Sequence, residues 1–164
     1  MRHLWAPWRM EYVAGERPAG CVLCQAREQP EAAHVLYSTD YNFVILNRFP
    51  YNSGHMMIVP NEHLSDFLQL SREQLEDMMD IAQGVIEALR QCMRAEGVNL
   101  GMNLGQAAGA GIDDHLHLHV VPRWVGDTNF LTTIGETRVV PQALAACQQA
   151  VQPALREIMQ RRRA

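Results

Sequence analysis

Histidine recurs at every second position from His115 to His119, with Leu116 and Leu118 between and Val120 and Val121 after. This alternation constrains the segment to a strand, because successive side chains of a strand leave opposite faces. His115, His117 and His119 then share one face, and Leu116, Leu118 and Val120 share the other. The apolar face is core and the imidazole face is chemistry. Neighbouring imidazoles stand roughly 6.5–7 Å apart, two residues at about 3.3 Å each, which suits one extended anion with several oxygens, such as a polyphosphate. Only seven histidines occur in the chain, and a face that merely met water would carry Thr, Lys or Glu. A metal site built from imidazoles is the competing use of the same residues.

The run from His115 to Val121 resembles the signature of the histidine-triad nucleotide hydrolases and transferases. Upstream, Leu46-Asn47, Pro50-Tyr51-Asn52-Ser53-Gly54-His55, Met56-Met57-Ile58-Val59-Pro60 and His63 look like that family's first nucleotide-binding hairpin. Asn103-Leu104-Gly105-Gln106 and the glycine-rich turn after it stand where the family places its phosphate-contacting loop. The resemblance runs from about Cys21 to Trp124, and the ordered series is far more specific than any one element. It implies an α+β, HIT-like fold with a mainly antiparallel sheet and one long covering helix. It also implies a homodimer in which two sheets pair edge to edge, removing an exposed edge.

Cleaving a phosphoanhydride at the α-phosphorus needs an in-line nucleophile, stabilisation of the non-bridging oxygens and help for the departing group. The resemblance makes His117 the nucleophile, giving a nucleotidyl-histidine that a second acceptor resolves. It makes His119 and His55 donors to the phosphate oxygens. Asn103 and Gln106, with main-chain amides around Gly105, would orient those oxygens as a small anion nest. Phe43, Leu46 and Asn47 are the candidates for the base and ribose pocket. A structural use stands beside two of these: Asn47 as a turn cap and Phe43 as plain core.

One stretch departs from the family pattern. Many small members carry a hydroxyl residue a few positions before the triad, where this chain has Gly109-Ala110-Gly111-Ile112-Asp113-Asp114, with two carboxylates and no hydroxyl. That stretch is similar to the diadenosine tetraphosphate phosphorylase-like and fragile-histidine-triad-like branch. Pro122-Arg123-Trp124, Gly126-Asp127-Thr128-Asn129-Phe130 and Trp5-Ala6-Pro7-Trp8-Arg9 share the likeness. In that branch inorganic phosphate, not water, can accept the nucleotidyl group; the chemistry up to the covalent intermediate is shared across the family, so sequence leaves the acceptor open. Two function classes follow: an enzyme cleaving dinucleoside polyphosphates, or a nucleotide-binding sensor or scaffold with little turnover.

The four cysteines divide into two kinds. Cys92 and Cys147 fall inside helical patterns as small buried residues. Cys21 and Cys24 form a C-x-x-C. A disulfide there conflicts with a reducing cytoplasm, and a redox pair would sit in a βαβ context that is absent from the pattern. Zinc is the favoured use and needs two further ligands. Relatives with this pair, including the galactose-1-phosphate uridylyltransferases, use the first triad histidine and an upstream histidine, which here implies Cys21, Cys24, His63 and His115 around a structural Zn2+.

A formal net charge of −4 gives no global basic field to recruit a nucleic-acid polymer, so a small nucleotide is the expected partner. No apolar run reaches membrane-spanning length and no signal-peptide pattern opens the chain, so neither membrane nor export is expected and a cytoplasmic location is the default.

The pattern divides into an aromatic arm over residues 1–20, a histidine triad domain over 21–140, and a C-terminal helix over 141–164 packed on the same domain. Trp5, Trp8 and Tyr12 cannot bury themselves in the arm and must pack on the body or a partner. Val35–Tyr37, Phe43–Leu46 and His55–Pro60 read as strands, and Asn61–Leu70 as a short helix. Ser71-Arg72-Glu73-Gln74 has the form of a capping box opening a long helix that runs to Gly97, its Met-rich stripe facing the core. Val98–Leu104 and Leu116–Pro122 read as the two central strands. Pro153 should bend the last helix, and Arg161–Arg163 should end it in solvent.

Overall fold

Asn42–Leu46 (β2) and Met56–Pro60 (β3) pair antiparallel in unbroken register, Asn42 opposite Pro60 and Leu46 opposite Met56. The structure, a computed structural model, describes residues 20–127 and 142–164. The aromatic arm at Trp5, Trp8 and Tyr12 and the stretch around Phe130 lie outside the described residues. Val35–Ser38 (β1) flanks β2, and Leu118–Arg123 (β5) flanks β3. Gly97–Gly101 (β4) pairs with β5, so the sheet runs β1-β2-β3-β5-β4 with every neighbour antiparallel. This is the expected α+β class.

β2 and β3 are buried along their whole length because both faces are covered. On one face Leu36, Val44, Leu46, Met56, Ile58, Leu118 and Val120 pack beneath two helices. Those are Arg72–Met93 (α2, following Val22–Glu28 as α1) and Leu144–Arg163 (α3). On the other face Val35, Phe43, Ile45, Met57 and Val59 meet Leu23 and Ala26 of α1. Residues separated by an odd number along a strand therefore enter different cores.

α2 opens as its sequence dictates. Ser71 Oγ accepts the Gln74 main-chain N–H at 3.1 Å, and the Gln74 side chain accepts the Ser71 N–H at 2.8 Å. The helix stops at Met93 and not at Gly97, because Arg94 adopts a left-handed conformation with φ 53°. Its buried stripe includes Met78, Ile81, Ala82, Val85 and Leu89, while Met79 is 44% exposed and belongs to the outer face. Gly84 lets α3 come close: a Cβ there would collide with the Met159 thioether.

Three expectations are corrected. The segment after β3 is no helix but a single 3-10 turn, Phe67–Gln69, capped by Asp66. The Leu64 carbonyl is committed to the Leu116 N–H at 2.7 Å, so this stretch runs beside the triad. β4 is an edge strand and ends at Gly101, with Leu100 46% exposed. Arg161, Arg162 and Arg163 do not end in free solvent. They pair with Glu87, Asp80 and Asp77 of α2, and Arg163 also lies over the Tyr37 ring at 5.8 Å. Individually such partly exposed pairs contribute at most about 1 kcal/mol, but together they register α3 against α2.

α3 continues through Pro153 to Arg163 and covers the outer edge of β1. Gln152 Nε2 donates to the carbonyls of Val35 and Leu36, both at 3.2 Å. One sheet edge is thus blunted by a side-chain amide, whereas the β4 edge carries no such cover among the described residues.

Candidate functional site

β5 begins only at Leu118, so His115 and His117 lie just before the ladder and His119 inside it, opposite Met57 of β3 and Gly101 of β4. His117 and His119 stay neighbours, ring centroids 4.7 Å apart, but the three histidines are not equivalent. His115 is 1% and His117 6% exposed, and His119 is half-buried. The stretch from 115 to 117 is held by the chain after β3: His115 Nε2 donates to the Pro60 carbonyl at 3.0 Å, and Leu116 N–H to Leu64.

Hydrogen-bond partners assign the proton on each imidazole. A carbonyl can only accept, so His117 Nδ1, 2.9 Å from the His115 main-chain oxygen, carries its proton. In the neutral imidazole Nε2 is then the nitrogen with the lone pair. His55, fully buried just ahead of β3, receives the Tyr51 main-chain N–H on Nδ1 at 3.1 Å. Its proton therefore sits on Nε2 and is donated to His119 Nδ1 at 2.9 Å. His119, accepting on Nδ1, carries its own proton on Nε2. The group thus offers one nucleophilic nitrogen and, next to it, one donor backed by a second: the His117 and His119 rings meet edge to face with centroids 4.7 Å apart.

Burial keeps His55 and His119 neutral. His55 is pushed down to about 3 by desolvation first and then by His119 and His117, and His119 to about 4 by desolvation and then by His117. Tyr51 covers the pair, its ring centroid 4.6 Å from that of His55 and 5.6 Å from that of His119. The sequence reading named Tyr51 only as part of the hairpin. Its place in Pro50-Tyr51-Asn52, four residues before His55, was the available signal.

The remaining candidates divide. Phe43 lies on the histidine-bearing face, fully buried under α1, with Ile45 and Met57 in the same apolar layer; Met57 stands directly opposite His119. Ile45 and Met57 were missed, although period-two alternation from His119 through Met57 would have found them. Leu46 is a correction: it points to the opposite face, 2% exposed beneath α2, and is not brought to the histidines. Asn47 uses both ends of its amide inside the hairpin, Oδ1 accepting from Phe49 N–H at 2.9 Å and Nδ2 facing His55 Nδ1 at 3.3 Å.

Asn103, Gly105 and Gln106 lie in the loop beyond Gly101, which itself pairs with His119. Gly105 has φ 79°, a left-handed value that favours glycine and turns the chain into the short 3-10 helix Gln106–Ala108. Gln106 Nε2 donates to Asp113 at 2.7 Å, and Asn103 reaches the Gly109 carbonyl at 3.5 Å. The side chains brace the loop against the segment leading into the triad.

Cys21, Cys24, His63 and His115 converge from three parts of the chain, with one ligand atom each within 4.8 Å of all the others. Cys21 Sγ lies 3.2 Å and Cys24 Sγ 3.5 Å from His115 Nδ1, and Cys24 Sγ lies 3.4 Å from His63 Nδ1. In a tetrahedral zinc site with bonds near 2.3 and 2.0–2.1 Å the sulfur–nitrogen edge is about 3.6 Å, so the donor set fits the ion. His115 Nε2–H is committed to the Pro60 carbonyl, which leaves Nδ1 unprotonated and aimed at the thiols, with the ring held in the orientation a metal-binding imidazole needs. Burial raises the Cys24 thiol above its ordinary value and lowers His115 below its own.

Comparison with known proteins agrees with this geometry. Residues 28–125 match the model of the HIT domain. The chain is 36% identical over 154 residues to a Mycobacterium tuberculosis protein named AP-4-A phosphorylase, covering 88% of this chain and 79% of that one. A zinc-bound histidine triad family protein from Mycobacterium smegmatis superposes with a TM-score of 0.71 at 28% identity, over 87% of this chain and 97% of that one. A hypothetical histidine triad nucleotide-binding protein from Sulfolobus tokodaii shares the fold, with a TM-score of 0.66 at 22% identity over 84% and 93% of the two chains. A domain match over residues 28–125, more than half of the chain and including His115, His117 and His119, makes this protein a member of the histidine triad (HIT) family.

Proposed function

We propose that the chain is an enzyme that cleaves dinucleoside polyphosphates of the diadenosine tetraphosphate type at the α-phosphate, through a nucleotidyl-histidine on His117. The observation that carries this reading is the bond from His117 Nδ1–H to the His115 carbonyl, which in the neutral imidazole makes Nε2 the nitrogen with the lone pair. As the Nε2–phosphorus bond forms, the bond to the bridging oxygen breaks and the remaining polyphosphate departs. The oxygen of phosphate or water then displaces Nε2 and regenerates the imidazole. His119 Nε2–H, with His55 behind it, donates to the phosphate oxygens. Main-chain amides around Gly105 with Asn103 and Gln106 receive the others, and Phe43, Ile45 and Met57 form the apolar floor for a base. The 36% identity to a relative named AP-4-A phosphorylase supports this substrate class.

The same reading gives Cys21, Cys24, His63 and His115 a structural zinc ion joining α1, the segment after β3 and the triad. The zinc-bound relative supports it. A homodimer joined along β4 would cover the exposed Leu100 and Leu104. A cytoplasmic setting suits four cysteines that form no disulfide. No described helix is long and apolar enough to cross a membrane.

Incubation with diadenosine tetraphosphate tests the reading. ATP appears with ADP when phosphate is the acceptor, and with AMP when it is water. Turnover near the uncatalysed rate both with and without phosphate would overturn it in favour of a binding module.

A further inference from the structure

Tyr51 lies at the rim of the histidine group. One face of its ring rests on the imidazoles, tilted 34° to His55 with centroids 4.6 Å apart and 35° to His119 at 5.6 Å. The residue is nevertheless 47% exposed, so the rest of the ring meets water beside the donor that faces phosphate. A ring that served only to shield the histidines would gain most from full burial, which this one does not reach.

The hairpin holds this ring in place from two sides. Tyr51 N–H donates to His55 Nδ1 at 3.1 Å. The next residue ties the turn to the end of β5, Asn52 Nδ2 donating to the Pro122 carbonyl at 3.1 Å and to Asp127 at 2.9 Å. With its backbone anchored and only two side-chain torsions, the ring loses little freedom when a flat ligand meets it. Its place in the series of rings matters too. Displacement in line sends the leaving polyphosphate and its nucleoside away from His117 Nε2. The rings run from His117 to His119 with centroids 4.7 Å apart and from His119 to Tyr51 at 5.6 Å, so Tyr51 is the aromatic surface that follows His119.

We infer that Tyr51 is a specificity-determining residue whose outer ring face stacks with the distal nucleobase, the one that departs with the polyphosphate. The inference rests on the proposed cleavage of dinucleoside polyphosphates and adds the means by which a dinucleotide is told from a mononucleoside polyphosphate. A dinucleotide brings two bases, and the layer of Phe43, Ile45 and Met57 beneath α1 serves one. Stacking needs only a π-face, which every base has, so the distal position should be tolerant of base identity.

Calorimetry of the full chain with two ligands tests this. One is a methylene-bridged diadenosine tetraphosphate that cannot be cleaved. The other is adenosine tetraphosphate, which keeps one base and the phosphates but lacks the distal nucleoside. Tyr51→Leu leaves an apolar side chain over the histidines and removes the π-face. It should weaken the dinucleotide about tenfold, within the range of one stacked base, and adenosine tetraphosphate by less than about twofold. Tyr51→Phe loses only the hydroxyl and should recover most of the dinucleotide affinity. Equal losses for both ligands in Tyr51→Leu would overturn the inference and leave the ring as a cover for the imidazoles. Tyr51→Phe as weak as Tyr51→Leu would also overturn it, by assigning the contact to the hydroxyl. The dinucleotide arm needs no turnover, so failure of the proposed reaction, seen as uncleaved diadenosine tetraphosphate, is distinguishable from failure of the stacking.

Discussion

The Nδ1 proton of His117 goes to the main-chain carbonyl of His115, 2.9 Å away, while the imidazole of His115 turns to Cys21 and Cys24. One residue thus meets the proposed metal set through its side chain and the proposed nucleophile through its backbone. Its position has further anchors, since His115 Nε2 bonds to Pro60 and Leu116 N–H to Leu64. Cys24→Ser should therefore release the metal and lower thermal stability more than it lowers turnover per folded molecule. Elemental analysis should fall from about one zinc per chain, and the midpoint by roughly 5–10 °C, at about 2–4 °C per kcal/mol for a chain of this size. Metal-free protein of unchanged stability would contradict the structural role.

Replacing His117 by Ala removes the only imidazole of the site whose free nitrogen lacks a protein partner among the described hydrogen bonds. Turnover should drop by several orders of magnitude while nucleotide binding, followed by calorimetry, persists on the remaining contacts. Near-normal rates would remove the nucleophile. His119→Ala deletes one donor and should cost about 2.7–4 kcal/mol of transition-state stabilisation, as for a lost oxyanion donor.

Acid should destabilise the fold in a defined window. His55 and His119 are held at about 3 and about 4 in the folded protein, below the ordinary value near 6.5 that the unfolded chain has. Between those values the unfolded state binds more protons. The stability present above about pH 6.5 is therefore lost progressively as pH falls toward 4 and below. Denaturant midpoints measured from pH 7 to pH 4 should decline, and His55→Gln should flatten that decline.

The β4 edge, uncovered among the described residues, gives a prediction about assembly. Leu100 and Leu104 are 46% and 51% exposed along and beyond β4. Leu100→Lys with Leu104→Lys should shift a dimer toward monomer in sedimentation velocity, because like charges facing each other across a paired edge oppose association. Wild-type protein sedimenting as a monomer at micromolar concentration would end the proposal directly.

The α3 cover at the other edge is testable by stability alone. Gln152→Leu leaves the Val35 and Leu36 carbonyls without their side-chain donor. A loss of about 1–3 kcal/mol is expected in urea denaturation, with the slope of the transition unchanged.

Much of the local structure was legible in the chain. The alternation around His117, the capping box at Ser71 and the strands flanking the hairpin depend on residues a few positions apart, whose backbone geometry repeats with a fixed period. Even Leu46 could have been separated from Phe43 by counting, since three residues along a strand reverse the face. Other features had no local signature. Arg161–Arg163 became an interface because α3 docks on α2, and β4 became an edge because β5 inserts next to β3.

The sequence by itself determined which segments could be strands or helices and which side chains could carry chemistry, because periodicity and residue type are local properties. Tertiary structure decided what each imidazole does. His115 and His117 are only two residues apart, yet one turns to a thiol brought from 94 residues away and the other bonds through Nδ1 to a main-chain carbonyl. Their difference lies in the carbonyls and N–H groups that meet each ring. Those partners belong to distant segments, so the assignment of protons exists only once the sheet and its loops have closed around them.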